Sequence, residues 1–179
     1  MTLRMWARLG LIAFGAVIIQ VGLLDQIVIA QAHADLFLLL AISAGLVAGP
    51  QQGAAIAFTF GLVADLFVQT PFGLSSLCYV LVAFAAGLAT TALPGRATFG
   101  FQVAAAFLGG VGGTLLFDGL GVLLGQPTVP FHELAVVAII VSAACMAFIY
   151  PACRLFDWTV AVGPGTHRDA GAFASGSAR

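Results

Sequence analysis

Lysine is absent from this chain of 179 residues, and only 7% of its residues are charged. A soluble domain carries roughly 25% charged residues. Too few charges are present here to solvate a globular surface. Six arginines against seven acids leave a net charge of −1, which excludes the basic footprint of a nucleic-acid-binding protein. Cysteine is also scarce. Cys78, Cys145 and Cys153 form no CxxC pair, and no cluster of His or Asp accompanies them. Neither a disulfide framework nor a metal site is supported, and the three read as small packing residues. There is no phosphate-binding GxxxxGK[ST] loop and no GxGxxG beside a strand. The glycines from Gly109 to Gly113 belong to a long apolar run rather than to a phosphate-binding turn.

Hydrophobic residues are abundant, at 61%, with a mean hydropathy of +1.12. They lie in long blocks, the pattern of lipid-facing helices rather than of one buried core. The blocks predict an all-α polytopic membrane protein of six short transmembrane helices. These fall at about 9–30, 34–49, 53–69, 72–93, 98–125 and 131–156 and form a single domain over 1–158. Gly49-Pro50, Pro71, Pro94-Gly95 and Gln126-Pro127 punctuate them. Residues 159–179 turn small and polar and are expected to form a disordered tail. Arg4, Arg8 and Leu9 to Leu24, followed by Ala30-Gln31-Ala32, also resemble a signal peptide. The long apolar stretch and the Asp25-Gln26 pair argue against cleavage.

The second and third blocks are short. Roughly 16 helical residues reach about 24 Å, against a hydrocarbon core of ~30 Å. Either two short spans thin the bilayer locally, or the pair enters and leaves on one side. Charge favours six spans. With six, all the arginines (Arg4, Arg8, Arg96, Arg154, Arg168 and Arg179) share one side. Asp25, Asp35, Glu133, His33 and His132 collect on the other. The positive-inside rule then places both termini in the cytoplasm.

Two carboxylates interrupt apolar blocks: Asp65 and Asp118. An unpaired Asp at the bilayer centre costs ~2.5–3.5 kcal/mol on insertion scales, so each is expected to face protein or water. Both follow small residues at four-residue spacing: Gly53, Ala57, Gly61 and Asp65 in one block, Gly110, Thr114 and Asp118 in another. Ala41, Gly45 and Gly49 repeat the pattern. Such stripes let helix backbones approach closely, which predicts that blocks two, three and five pack together with both carboxylates inward. Glycine is common in membrane helices in any case. Two aspartates could share a proton and activate water, but no further catalytic pattern surrounds them, so no catalytic residue is expected. His132-Glu133 begins an HExxH motif that Val136 breaks, and Glu133 is better read as an acid in the first turn of a helix. Ser75-Ser76 lacks a GxSxG setting and reads as packing or capping.

Residues 33–90 carry a resemblance. They run His33-Ala34-Asp35 into a leucine-rich helix, turn at Gly-Pro, and continue through Gly61-Leu-Val-Ala-Asp65-Leu-Phe to Thr70-Pro71-Phe72-Gly73-Leu74. This resembles MreD, the small membrane subunit of the bacterial rod-shape machinery. Asp35, Gly61, Asp65, Gly73 and Leu74 fit that family's pattern, and Ala34 stands where it usually has proline. Asp118 fits an acidic position sometimes seen in its fifth helix. The resemblance implies a non-enzymatic subunit without cofactors in the bacterial inner (cytoplasmic) membrane. It would bind an MreC-like bitopic protein. It would also help organise a RodA-like polymerase, a class B transpeptidase and MreB filaments in peptidoglycan synthesis and cell-shape maintenance. Contact with membrane lipid is expected, and contact with nucleic acid is not.

The same family is similar in fold to the six-helix substrate-binding subunits of energy-coupling-factor vitamin transporters. A substrate-binding transporter subunit is therefore the first alternative, with Asp65, Gln69, Phe72, Asp118 and His132 as ligand candidates. A membrane aspartyl hydrolase using Asp65 and Asp118 is the second.

Overall fold

The computed structural model describes residues 3–20, 35–67, 73–92, 98–125 and 130–160. Its elements are all helical: α1 (Leu3–Ile19), α2 (Leu36–Phe67), α3 (Leu74–Ala92), α4 (Phe99–Leu123) and α5 (Phe131–Val160). The expected tail at 159–179 is corrected at its start. Thr159 and Val160 continue α5, and the Thr159 hydroxyl is buried, donating to the Leu155 and Phe156 carbonyls. Residues 161–179 lie outside the described residues, as do most of the link between α1 and α2 and the proposed cleavage site.

Among the described residues there are five helical elements, and one of them, α2, holds the second and third of the six expected blocks. This 32-residue element is two helices joined across a kink. It is not straight. Gly49 has φ 81° and ψ 179° inside it, a conformation open to a residue without a Cβ. The next residue is Pro50, which lacks the N–H that would continue the ladder. In a straight helix Gly45 and Gly53 would be about 12 Å apart. Instead a Cβ placed on Gly53 would come within 2.6 Å of the Gly45 Cα. The chain therefore folds back at Gly49 into two arms, of about 20 and 27 Å by helical rise.

Four of the five helices are long and apolar enough to cross a membrane: Leu36–Leu66, Leu74–Ala92, Phe99–Leu123 and Phe131–Thr159. That is the architecture of a multi-pass membrane protein. The helices differ in how much of their surface the protein itself covers. Leu38, Ala41, Ile42, Ala57, Phe60, Tyr79 and Ala83 of α2 and α3 are all buried. α4 is mostly bare, with Leu108 and Leu115 exposed. α2 and α3 form the centre, and α1, α4 and α5 surround them. In α5, Pro151 frees the carbonyl one turn back. Phe156 beyond it still packs edge-on against Phe60, with ring centroids 6.1 Å apart.

Backbone proximity explains the small residues. A Cβ on Gly45 would lie 2.2 Å from the Ala83 carbonyl oxygen, and one on Gly61 2.3 Å from the Ser76 Cα. Both obstacles are backbone, so neither can swing aside. Ala57, between Gly53 and Gly61, is fully buried. The stripe in α4 works differently from expectation. Gly110 lies against Ser142 of α5, while Gly109 and Gly113 meet Ile42 and Leu38 of α2. The face toward α2 is thus shifted by one residue from Gly110–Thr114. The Thr114 hydroxyl donates to its own helix at Gly110 O.

Candidate functional site

The polar residues that sequence reasoning singled out gather where α2 begins and ends. Gly73, just before α3, has no side chain with which to cap it, yet the first turn of α3 is buried: Leu74, Ser75 and Ser76 are each at most 3% exposed. The first N–H groups of a helix have no partner within it. In water they would be solvated, but here they need an acceptor from elsewhere.

Asp65 is that acceptor. Its Oδ2 receives the Gly73 N–H (3.0 Å), the Ser76 N–H (3.4 Å) and the Ser76 hydroxyl (2.9 Å), and its Oδ1 receives the Ser75 N–H (3.1 Å). The carboxylate, 3% exposed, sits at the positive end of the α3 dipole. Positive φ at Gly73 (96°) aims the chain so that its N–H and the next ones converge on one group. The last turn of α2 is thereby tied to the first turn of α3, beside the close approach at Gly61.

Asp35 performs the same service locally. Its Oδ1 accepts the Leu38 N–H at 3.1 Å, the bond of an N-cap residue. Its Oδ2 accepts the Tyr79 hydroxyl at 2.5 Å, which joins α2 to α3. From α1, the Gln20 side-chain oxygen accepts the Leu36 N–H at 3.1 Å. One helix on, Cys78 donates its thiol to the Gly113 carbonyl at 3.3 Å. Four helices are therefore laced together around the start of α2.

Asp118 takes no part. It is half-buried on α4 and has no hydrogen bond or ion pair among the described residues. The structure does not join Asp65 and Asp118 into one hydrogen-bonded pair, the arrangement that proton sharing needs. His132 and Glu133 are exposed, 3.7 Å apart at the start of α5. Gln69 and Phe72 lie outside the described residues. Cys78, Cys145 and Cys153 are buried free thiols. Groups of His, Cys, Asp and Glu able to hold a metal ion are absent among the described residues.

Comparison with protein-family models, with curated proteins and with solved structures finds no match. The site must be read from its own chemistry.

That chemistry is cohesive. An acceptor already engaged by three backbone N–H groups and a hydroxyl holds a helix start in place, and it is poorly placed to take a proton from substrate. Sequence reasoning picks Asp65, Asp35 and Gly73 and reads Ser75-Ser76 as packing or capping, but does not pair Asp65 with the start of α3. Tyr79 was overlooked altogether, as was the part of Gln20. One signal was available for Asp65: a helix opening Gly-Leu-Ser-Ser with no Asp, Asn, Ser or Thr at the cap.

Proposed function

We propose that this chain is a non-enzymatic, multi-pass subunit of a bacterial inner-membrane assembly, of the MreD kind, that scaffolds peptidoglycan synthesis during cell elongation. The observation that carries the reading is the use made of Asp65, the most buried carboxylate among the described residues. It is consumed in joining helices, as a scaffold requires, and not offered to a substrate. The resemblance over residues 33–90 supplies the assembly. Asp35, Gly61, Asp65, Gly73 and Leu74 fit that family's pattern and all fall in the α2–α3 centre. The partners on this reading are an MreC-like bitopic protein and, through it or directly, a RodA-like polymerase, a class B transpeptidase and MreB filaments.

The proposal includes six crossings with both termini cytoplasmic. Arg8, near the start of α1, stacks on Trp158, near the end of α5, with its guanidinium carbon 4.1 Å from the ring centroid. It also donates to the Trp158 carbonyl at 3.1 Å. The two ends of the helical domain are therefore neighbours. Neighbouring ends favour an even number of crossings, and the fold-back at Gly49 supplies it by making α2 count twice. Arginine near both ends puts that side in the cytoplasm by the positive-inside rule.

Affinity purification in mild detergent, with mass spectrometry of what accompanies the chain, tests the function. An MreC-like protein with a wall polymerase or transpeptidase is the expected result. A transmembrane coupling subunit with ATPases would replace the proposal with the transporter alternative.

A further inference from the structure

The stretch of α5 from Phe131 to Tyr150 rises about 29 Å, the thickness of a bilayer's hydrocarbon core. The part of α5 that follows therefore lies at the far interface. Tyr150, Arg154 and Trp158 succeed one another there at intervals of four, which sets them on one side of the helix. All three are exposed.

Aromatic rings lay out two guanidinium groups along this side. The Arg154 guanidinium carbon stands 5.6 Å from the centroid of the Tyr150 ring, and Arg154 donates to the Tyr150 hydroxyl at 3.1 Å. One turn further on, Arg8 reaches across from α1 and stacks on Trp158. Phe99, the first residue of α4, is exposed and meets the Tyr150 ring edge-on, with centroids 6.2 Å apart. Rings and cations thus form one strip that joins the starts of α1 and α4 to the last turns of α5. The strip has donors to spare. A guanidinium carries five N–H donors, and among the described residues each of these two gives a single hydrogen bond to the protein. Neither is neutralised there. The one ion pair among the described residues is that of His132 with Glu133, at the opposite end of α5. Asp157, though near in sequence, pairs with neither arginine.

We infer that this strip binds the headgroup of an anionic phospholipid, with the phosphodiester held by Arg154 and Arg8 and an acyl chain lying along Phe99 and Tyr150. The argument for the occupant is charge complementarity. Phosphodiesters are the anions a membrane presents at its interface, and the planar fork of a guanidinium matches their oxygens. Exposed Tyr and Trp rings sit at headgroup level, and basic groups beside them favour lipids with a net negative charge. The inference does not rest on the scaffold reading. It requires only that α5 crosses the bilayer.

The test takes the full chain, purified in detergent and stripped of lipid, and titrates it with phosphatidylglycerol or with phosphatidylcholine. Native mass spectrometry reads the lipid retained. Phosphatidylglycerol should bind roughly tenfold more tightly than its zwitterionic counterpart. Arg154→Gln should remove roughly fivefold of that preference and leave the helical circular dichroism unchanged, since the side chain is exposed. Arg154→Lys keeps the charge without the fork and should fall between. Arg8→Gln added to Arg154→Gln should abolish the preference. Arg179→Gln makes the same change in net charge and should leave the preference intact. Equal retention of the two lipids, a preference unmoved by Arg154→Gln, or one that Arg179→Gln lowers as much would overturn the inference. So would displacement of phosphatidylglycerol by millimolar inorganic phosphate, the mark of a site for the free ion rather than for a lipid.

Discussion

Replacing Asp65 with Ala removes the acceptor of four hydrogen bonds at once. A buried donor left without a partner costs about 1–3 kcal/mol, and loss of an ordinary N-cap about 1–2 kcal/mol. The four losses do not add. The Ser76 hydroxyl can turn to a carbonyl of its own helix, and water can enter the space vacated by the carboxylate. A total of about 3–5 kcal/mol follows, less than the sum of the separate losses. Asp65→Asn should cost less, about 1–3 kcal/mol, because one oxygen still accepts while the new NH₂ faces donors. Unfolding by denaturing detergent, followed by helical circular dichroism in micelles, measures the difference. Hydrogen exchange at residues 73–76 localises it, since those amides should lose protection before the rest of α3. If Asp65→Ala unfolds like the parent, or if these amides stay protected, Asp65 is not the cap of α3. The hydrolase alternative expects the opposite of Asp65→Asn: normal stability and no activity.

Gly61→Leu should abolish the folded state or reduce its membrane level severely, because even its Cβ would collide with the Ser76 backbone; normal levels in a membrane fraction would defeat the close-packing account. Gly112→Ala, by contrast, meets open space and should change unfolding by no more than about 1 kcal/mol, toward greater stability. Tyr79→Phe strands one oxygen of Asp35 and should cost about 1–3 kcal/mol in the same unfolding assay. Cysteine placed at Gln51, an exposed position just past the fold-back, should react with a membrane-impermeant thiol reagent only from the cytoplasmic side if α2 crosses twice; labelling from the outside would break the six-crossing topology.

The apolar blocks announce their helices plainly, since twenty residues without charge leave a chain few other choices. The boundary between the second and third blocks is visible as Gly49-Pro50, but its geometry is not. Proline and glycine predict an interruption, and only the contact of Gly45 with Gly53 shows that the arms fold back on each other. Spacing identified Gly61 and Asp65 as one face. It could not say that this face meets the start of α3, because the acceptor and its donors are eight to eleven residues apart in sequence. The Asp35–Tyr79 bond spans 44 residues, beyond any local pattern. Gly110–Thr114 was assigned to the wrong neighbour for a related reason: α4 has glycines at 109, 110, 112 and 113. Several overlapping stripes fit the same run, and packing alone chooses among them.

The fold-back at Gly49 bears on how the protein enters the bilayer. The first arm of α2, about 20 Å long, is short for a stable crossing on its own, and its Gly45 leaves backbone exposed unless something lies against it. The second arm and α3 supply the cover, through Gly53 and Ala83. Residues 36–92 therefore make sense as one unit of insertion, delivered as a hairpin and closed by the helix that follows. Until Asp65 meets residues 73–76, the start of α3 carries bare donors that favour staying near water. The capping bonds of Asp65 satisfy those donors inside the protein, so the start of α3 can lie away from water.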